Sequence, residues 1–148
     1  MKFFKTRDVK SPKRATSVAA GIDFFIPNDF VARNIAPGTG IKIPAGIKVK
    51  LPSGLALIAQ EKSGVATNKQ LIVGAKVVDE DYQGEVHIHV INTSSKPVRV
   101  SPGEALVQFV LFHVSYSMPV EVTSEDELFS GEVSERGEAG FGEMTKKM

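Results

Sequence analysis

The chain has 148 residues, 42% hydrophobic and 24% charged, which suits one folded domain with its own core and excludes a disordered chain. Lysine plus arginine (18) nearly balances aspartate plus glutamate (17), so no long-range field marks a nucleic-acid or membrane partner, and neither is expected. Zero cysteines exclude disulfides, thiolate catalysis and cysteine-ligated zinc.

The opening residues, Met1-Lys2-Phe3-Phe4-Lys5-Thr6-Arg7, carry no apolar stretch of signal-peptide length. No later run approaches the roughly 20 apolar residues of a membrane helix, so a cytoplasmic protein (host cytoplasm if viral) is expected. Helical periodicity is almost absent, and short apolar segments alternate with Gly, Pro, Ser and Asn at the spacing of an all-β sandwich or barrel. Ile41-Lys42-Ile43 leads through Pro44-Ala45-Gly46 to Ile47-Lys48-Val49-Lys50-Leu51, a period-2 strand with lysines on its wet face. Leu55-Ala56-Leu57-Ile58-Ala59 is an unbroken apolar run, expected to be buried on both faces. The spacing predicts one short helix, from Ser63 to Lys69, with the Ser63 hydroxyl as its cap. Val86 to Ile91 alternates again, Val98-Arg99-Val100 returns after a turn, and Ala105 to Val114 is the most hydrophobic strand. From Thr123 to Met148 apolar residues thin out and Gly, Glu and Ser dominate.

Three segments offer chemistry. Gly74-Ala75-Lys76-Val77-Val78-Asp79-Glu80-Asp81-Tyr82-Gln83-Gly84-Glu85 brings a carboxylate and an aromatic ring to a turn at the lip of a sheet. Glu61-Lys62-Ser63-Gly64 puts a cation, a hydroxyl and free amides at a helix start, which suits a phosphate, although an ordinary capped helix reads the same way. Arg136-Gly137-Glu138-Ala139-Gly140-Phe141-Gly142 is a glycine-rich arm with a guanidinium for a phosphate and a ring for stacking. His87 and His89 stand at i, i+2, but no third ligand lies at a metal-binding spacing, so packing on the sheet surface is expected of them. No Ser/His/Asp nucleophile, Walker A loop or dinucleotide fingerprint is present.

Taken in order, these pieces resemble the homotrimeric dUTPase family, whose members share five short blocks. Ala20-Gly21-Ile22-Asp23-Phe24 resembles the first and Lys62-Ser63-Gly64-Val65-Ala66 the second. Gly74 to Gly84 resembles the third, Gly103-Glu104-Ala105-Leu106-Val107-Gln108-Phe109 the fourth, and Arg136-Gly137 with Gly140-Phe141-Gly142 the fifth. The resemblance implies an all-β, jelly-roll-like (β-clip) subunit with one short helix, assembling as a homotrimer with shared active sites. It implies a domain over 1–124 and a flexible C-terminal arm over 125–148 that closes over a neighbouring subunit's site.

The activity it implies is hydrolysis of dUTP to dUMP and pyrophosphate with Mg²⁺, limiting uracil in DNA and supplying dUMP for dTMP synthesis. Asp79 is the expected catalytic residue, orienting a water toward the α-phosphate. Tyr82 packs on the deoxyribose in this reading, and main-chain groups of the hairpin from Gly74 through Val77 and Val78 pair with the uracil edge. Lys62, Ser63, Gly64, Gln108 and Arg136 hold phosphates, and Phe141, followed by Gly142, stacks on the base. Asp23 is a candidate for the water shell of the metal or for structural support, and little direct protein ligation of the metal is expected. Departures from the pattern are Lys62 for arginine, Glu104-Ala105 for Asp-Arg, Ile22 for tyrosine, and Glu143 where a hydroxyl is usual. Because Lys62 and Glu104 depart together, a Lys62–Glu104 pair of altered reach is expected. A nucleotide-gated regulatory protein and a dCTP deaminase are the alternatives on the same fold.

Overall fold

The computed structural model describes residues 1–140. Strands among them are β1 (Lys2–Lys5), β2 (Ile22–Phe24), β3 (Arg33–Ile35), β4 (Gly40–Pro44), β5 (Ile47–Lys50) and β6 (Leu55–Glu61). After helix α1 (Ser63–Lys69) come β7 (Leu71–Val73), β8 (Val77–Val78), β9 (His87–Asn92), β10 (Val98–Val100) and β11 (Val107–His113), and helix α2 (Glu125–Phe129) follows. Every strand pairing is antiparallel. The larger sheets run β2-β11-β6-β8 and β4-β9-β7, with β1-β5 and β10-β3 as two-stranded ribbons.

Side-chain alternation sets which face of each strand turns inward. In β5, Ile47 and Val49 are buried while Lys48 and Lys50 face water, as the period-2 pattern requires. In β9, Ile88, Val90 and Asn92 are buried and His87 and His89 are half-buried. The longest ladder joins β6 and β11 from Leu55↔His113 to Glu61↔Val107, and Ala56, Leu57 and Ala59 of β6 are buried. The core gathers both larger sheets around Phe24 and Phe109, whose tilted rings lie 4.6 Å apart, with Ile43, Ile47, Ile88 and Val90.

Two expectations need amendment. Helix α1 spans Ser63–Lys69, but its N-cap is Lys62 in extended conformation, and no side chain caps it. Ser63 is already helical, so its hydroxyl cannot fold back as a cap. A second helix, α2, was not expected. Ser124 Oγ accepts from Glu127 N at 3.1 Å, and Glu127 Oε2 accepts from Thr123 N at 3.0 Å, a variant of the capping box. The chain divides into two compact units, Met1–Ser115 and a second that begins at Tyr116. Among the described residues no helix is long and apolar enough to cross a membrane.

Asn92 is the one fully buried polar side chain among the described residues. Its Nδ2 donates to Ile35 O (2.9 Å) and Lys96 O (2.8 Å), and its Oδ1 accepts from Ser94 N (2.9 Å) and Ser94 Oγ (2.7 Å). All four hydrogen-bonding positions of the amide are used, tying β9 to β3 and to the following turn. Asn92→Ala strands those partners, and we expect a loss of about 2–3 kcal/mol in urea unfolding. A loss below about 0.5 kcal/mol contradicts this account of the turn.

Candidate active site

The first, second and fourth sequence blocks meet on the β2-β11-β6 sheet. Gln108 on β11 stands opposite Asp23 on β2 and Gln60 on β6. Its Nε2 donates to Glu61 O at 2.9 Å, holding the end of β6 where the chain turns into α1. Its side chain lies across Gly21, where a β-carbon would collide with the Gln108 amide. Asp23, directly across from Gln108 and on the same face, binds Lys62 Nζ through Oδ2 at 2.7 Å. The side chains of Asp23 and Lys62 keep 18% and 27% of their exposure, so the pair is shielded yet open at one side.

The expected Lys62–Glu104 pair is not formed. Lys62 pairs with Asp23, while Glu104 Oε1 takes Lys69 Nζ at 2.8 Å and Glu104 Oε2 accepts from Ser101 N at 3.2 Å. The cause is direction. Lys62 precedes α1 beside β2, whereas Lys69 lies in the last helical turn, where a cation also suits the helix dipole. At the start of α1, Ser63 and Gly64 are exposed and the first turn holds no acidic residue.

The third block lies along the opposite edge of the same sheet. Val77 and Val78 form β8, pairing with Ile58 and Leu57 of β6, and Lys76 O accepts from Ala59 N at 2.8 Å. Ahead of β8, Gly74 N donates to His89 O (3.0 Å) and Ala75 N to His89 Nδ1 (2.8 Å). Ala75, Lys76, Val77, Tyr82, Val86 and Phe109 are among the residues lining a pocket of about 110 Å³. An apolar cavity of about 150 Å³ holds benzene, so this one is on the scale of a single six-membered ring.

Beyond β8, Tyr82 N donates to Asp79 O at 3.2 Å, closing a turn, and Tyr82 Oη donates to Glu85 O at 3.0 Å. The tyrosine ring folds over Gly84, whose missing β-carbon makes the room. Glu80 Oε2 accepts from Gly54 N (2.8 Å) and Glu85 Oε1 from Gly46 N (2.6 Å), anchoring the loop to two neighbouring turns. Asp79 is exposed, and among the described residues its carboxylate has no hydrogen-bond or ion-pair partner.

Asp23, Lys62 and Gln108 are therefore brought together with Ser63 and Gly64, and Gly74, Val77, Val78, Asp79 and Tyr82 form a second group. Among the described residues no hydrogen bond or ion pair joins Asp79 or Tyr82 to Lys62, Ser63, Gly64 or Gln108. Arg136 lies in the second unit, exposed, with Nε donating to Ala139 O at 2.7 Å. Phe141, Gly142 and Glu143 lie outside the described residues. No group of three His, Asp or Glu that could hold a metal ion occurs among the described residues.

Sequence reasoning gave Glu61 and His89 no role in the site. Glu61 Oε1 accepts from Val73 N (3.2 Å) and Lys76 Nζ (3.3 Å), linking the end of β6 to the third block. A carboxylate closing a buried strand beside Lys62 was the available signal, but its partners are set by pairing across the fold. The N–H groups of Glu61 itself and of Val73, with the Lys76 ammonium, outweigh partial burial and hold its carboxyl below the usual range.

A family model described as dUTPase matches residues 7–145. A deoxyuridine 5'-triphosphate nucleotidohydrolase of Fowlpox virus is 33% identical over 133 residues, covering 90% of this chain and 88% of the relative. A mutant dUTPase of Staphylococcus bacteriophage 80alpha, solved with dUpNHpp, superposes with a TM-score of 0.81 at 20% identity, covering 97% of this chain and 96% of that one. A mutant dUTPase of phage phi11 of S. aureus, whose structure describes coordination of a structural Mg(II) ion, gives 0.72 at 16% identity, covering 84% and 97%. These likenesses place the fold among the jelly-roll dUTPase structures.

Because the Glu61 carboxyl sits below its ordinary value in the fold, its stabilising effect is complete above that ordinary value and is lost as pH falls through the folded one. Glu61→Gln should therefore lower the urea midpoint at pH 7, with the difference from wild type closing at an acid pH below the folded value. A difference that is the same at both pH values contradicts the assignment.

Proposed function

The chain belongs to the dUTPase family, and on that premise we propose that it is a dUTP diphosphatase, cleaving dUTP to dUMP and pyrophosphate. The observation that carries the reading is the Asp79 carboxylate, unpaired among the described residues, next to a ring-sized pocket and the Tyr82 ring. A carboxylate with no internal partner is free to orient a water and take its proton as that water attacks the α-phosphate. The proton moves to Asp79 Oδ, the α–β bridging oxygen leaves with pyrophosphate, and the acid returns its proton to solvent.

The edge from Gly74 to Val78 supplies main-chain groups for the uracil edge, and the pocket's size suits one pyrimidine ring. Tyr82 is fixed through its own amide and hydroxyl, which gives a rigid wall for the deoxyribose and leaves no room for a 2′-hydroxyl. Lys62, held by Asp23, with Ser63, Gly64 and Gln108, suits the phosphates, and Arg136, Phe141 and Gly142 suit the phosphates and the base as contributions from the C-terminal arm of a neighbouring subunit.

Mg²⁺ would fit this site as a hard ion that keeps its waters and would be held chiefly by the substrate's phosphates, where it would supply charge neutralisation for the leaving pyrophosphate. Asp23, whose Oδ2 is taken by Lys62, would support the ion only through its water shell. β8, which leads into Asp79, is an edge strand of the sheet that carries Asp23 and Gln108. Among the described residues no hydrogen bond or ion pair joins Asp79 or Tyr82 to the Lys62–Gln108 group. Both facts support a homotrimer whose sites take the Asp79 loop from one subunit and the Lys62–Gln108 group from the next.

Pyrophosphate release measured with dUTP, dCTP, dTTP and UTP in Mg²⁺ tests the reading. Turnover of dUTP alone is expected, whereas ammonia release from dCTP points to a deaminase. Asp79→Asn should retain dUTP binding and lose about 10³-fold in kcat, because the amide is isosteric but takes no proton. Retention of more than about a tenth of wild-type turnover removes Asp79 from this role. In Tyr82→Ala the ratio of kcat/KM for dUTP over UTP should fall at least about tenfold, since a filled volume becomes space for a hydroxyl. An unchanged ratio means that the sugar is selected elsewhere.

A further inference from the structure

We propose that His89 is a positioning residue for the base-binding loop, acting as a hydrogen-bond acceptor, and that acid weakens nucleotide binding by converting it to a donor. The proposal rests on reading Ala75 to Val78 as the loop that meets the uracil edge.

His89 lies in the middle strand of the β4-β9-β7 sheet, half-buried, and holds the loop at two points. Its carbonyl accepts from Gly74 N at 3.0 Å, and its ring Nδ1 accepts from Ala75 N at 2.8 Å. A ring nitrogen accepts only while it carries no proton, so this bond requires the neutral imidazole with its hydrogen on Nε2. The ring fills the space that a β-carbon on Gly74 would take, and a β-carbon on Gly40 would stand 3.2 Å from Nε2. Bracketed by two glycine backbones, the imidazole has little freedom to turn away.

Protonation places an N–H at Nδ1, facing the N–H of Ala75. Because the ring is confined, the loop yields. Ala75 and Lys76 line the ring-sized pocket, so the loss falls on recognition of the base. Asp79 lies beyond β8, which remains paired to β6 through Val78↔Leu57 and Val77↔Ile58, so the chemical step is spared. The charged and titratable groups around the ring are Lys42, directly opposite on β4, and Lys76 of the loop itself. Glu61 of β6 pairs with Lys76, and His87 shares the half-buried face of β9. Histidine is the side chain whose charge ordinarily changes between about pH 5 and 8, so the test is run across that range.

The test measures dUTP hydrolysis by the full-length wild type, His89→Asn and His89→Leu between about pH 5.5 and 8.5, alongside the ¹⁵N–¹H resonance of Ala75. Asparagine carries a non-titrating acceptor oxygen close to where Nδ1 stands, and leucine carries none. The substrate's terminal phosphate also titrates near about pH 6 but moves all three proteins alike, so the comparison between them is what counts.

The wild-type KM should rise at least about fivefold relative to His89→Asn between about pH 7.5 and 5.5, with kcat shifting less than about twofold. His89→Leu should show a raised KM at every pH, and the Ala75 resonance should move with the titration of the His89 ring. An Ala75 resonance that ignores that titration overturns the role of His89, even if the leucine variant fails to fold. A KM profile shared by wild type and His89→Asn, while Ala75 does titrate with His89, overturns the proposal through the loop reading instead.

Discussion

Gln108 can occupy its place only because position 21 has no β-carbon, and the organisation of the site follows from that vacancy. With its side chain laid across Gly21, the amide reaches Glu61 O and fixes the point where β6 ends and α1 begins. The same register sets Asp23 opposite Gln108, within reach of Lys62. Three segments far apart in sequence are thereby held by one neutral hydrogen bond and one ion pair. Neither contact is strong alone, since a typical internal hydrogen bond is worth about 1 kcal/mol net and a partly exposed ion pair less than that. Their value is positional, because both are built on the β2-β11-β6 ladder.

The acids of the third block divide their labour. Glu80 and Glu85 each accept from a backbone amide of a neighbouring turn, and Glu61, at the end of β6, accepts from Val73 N at the end of β7. Charge-assisted bonds of this kind hold a loop stiffly without a packed core beneath it. Tyr82 is fixed by its own hydroxyl and amide. Among the described residues Asp79 is left with no partner, on a loop that its neighbours immobilise, which is the condition a water-activating carboxylate needs. A loop of the same composition with its glutamates in solvent would place that carboxylate poorly.

The alternation of β5 and β9, the extent of α1 and the order of the five blocks were all legible, because each depends on local period or local spacing. What failed was partner choice over distance. Lys62 has carboxylates at positions 23 and 104 to choose between, and only the β2–β11–β6 pairing decides for Asp23. The Ser63 cap failed by one residue, since Lys62 stays extended and the helix takes in the serine. Helix α2 was missed despite the Ser124-to-Glu127 spacing, because the surrounding segment is poor in apolar residues. His87 and His89 looked alike in sequence, yet only His89 is placed to accept from Ala75, through a loop whose path the sequence does not show.

The central claim is that a working site draws its two residue groups from different subunits. Subunit complementation tests it most directly. Asp79→Asn and Lys62→Ala proteins, each first assayed alone for residual turnover, are co-refolded in equal amounts, the mixed trimers are verified by mass, and dUTP turnover is measured. If each site takes Asp79 from one chain and Lys62 from the next, random mixing restores one site in four, about a quarter of wild-type activity. Verified mixed trimers without activity above that of the parents contradict the shared site.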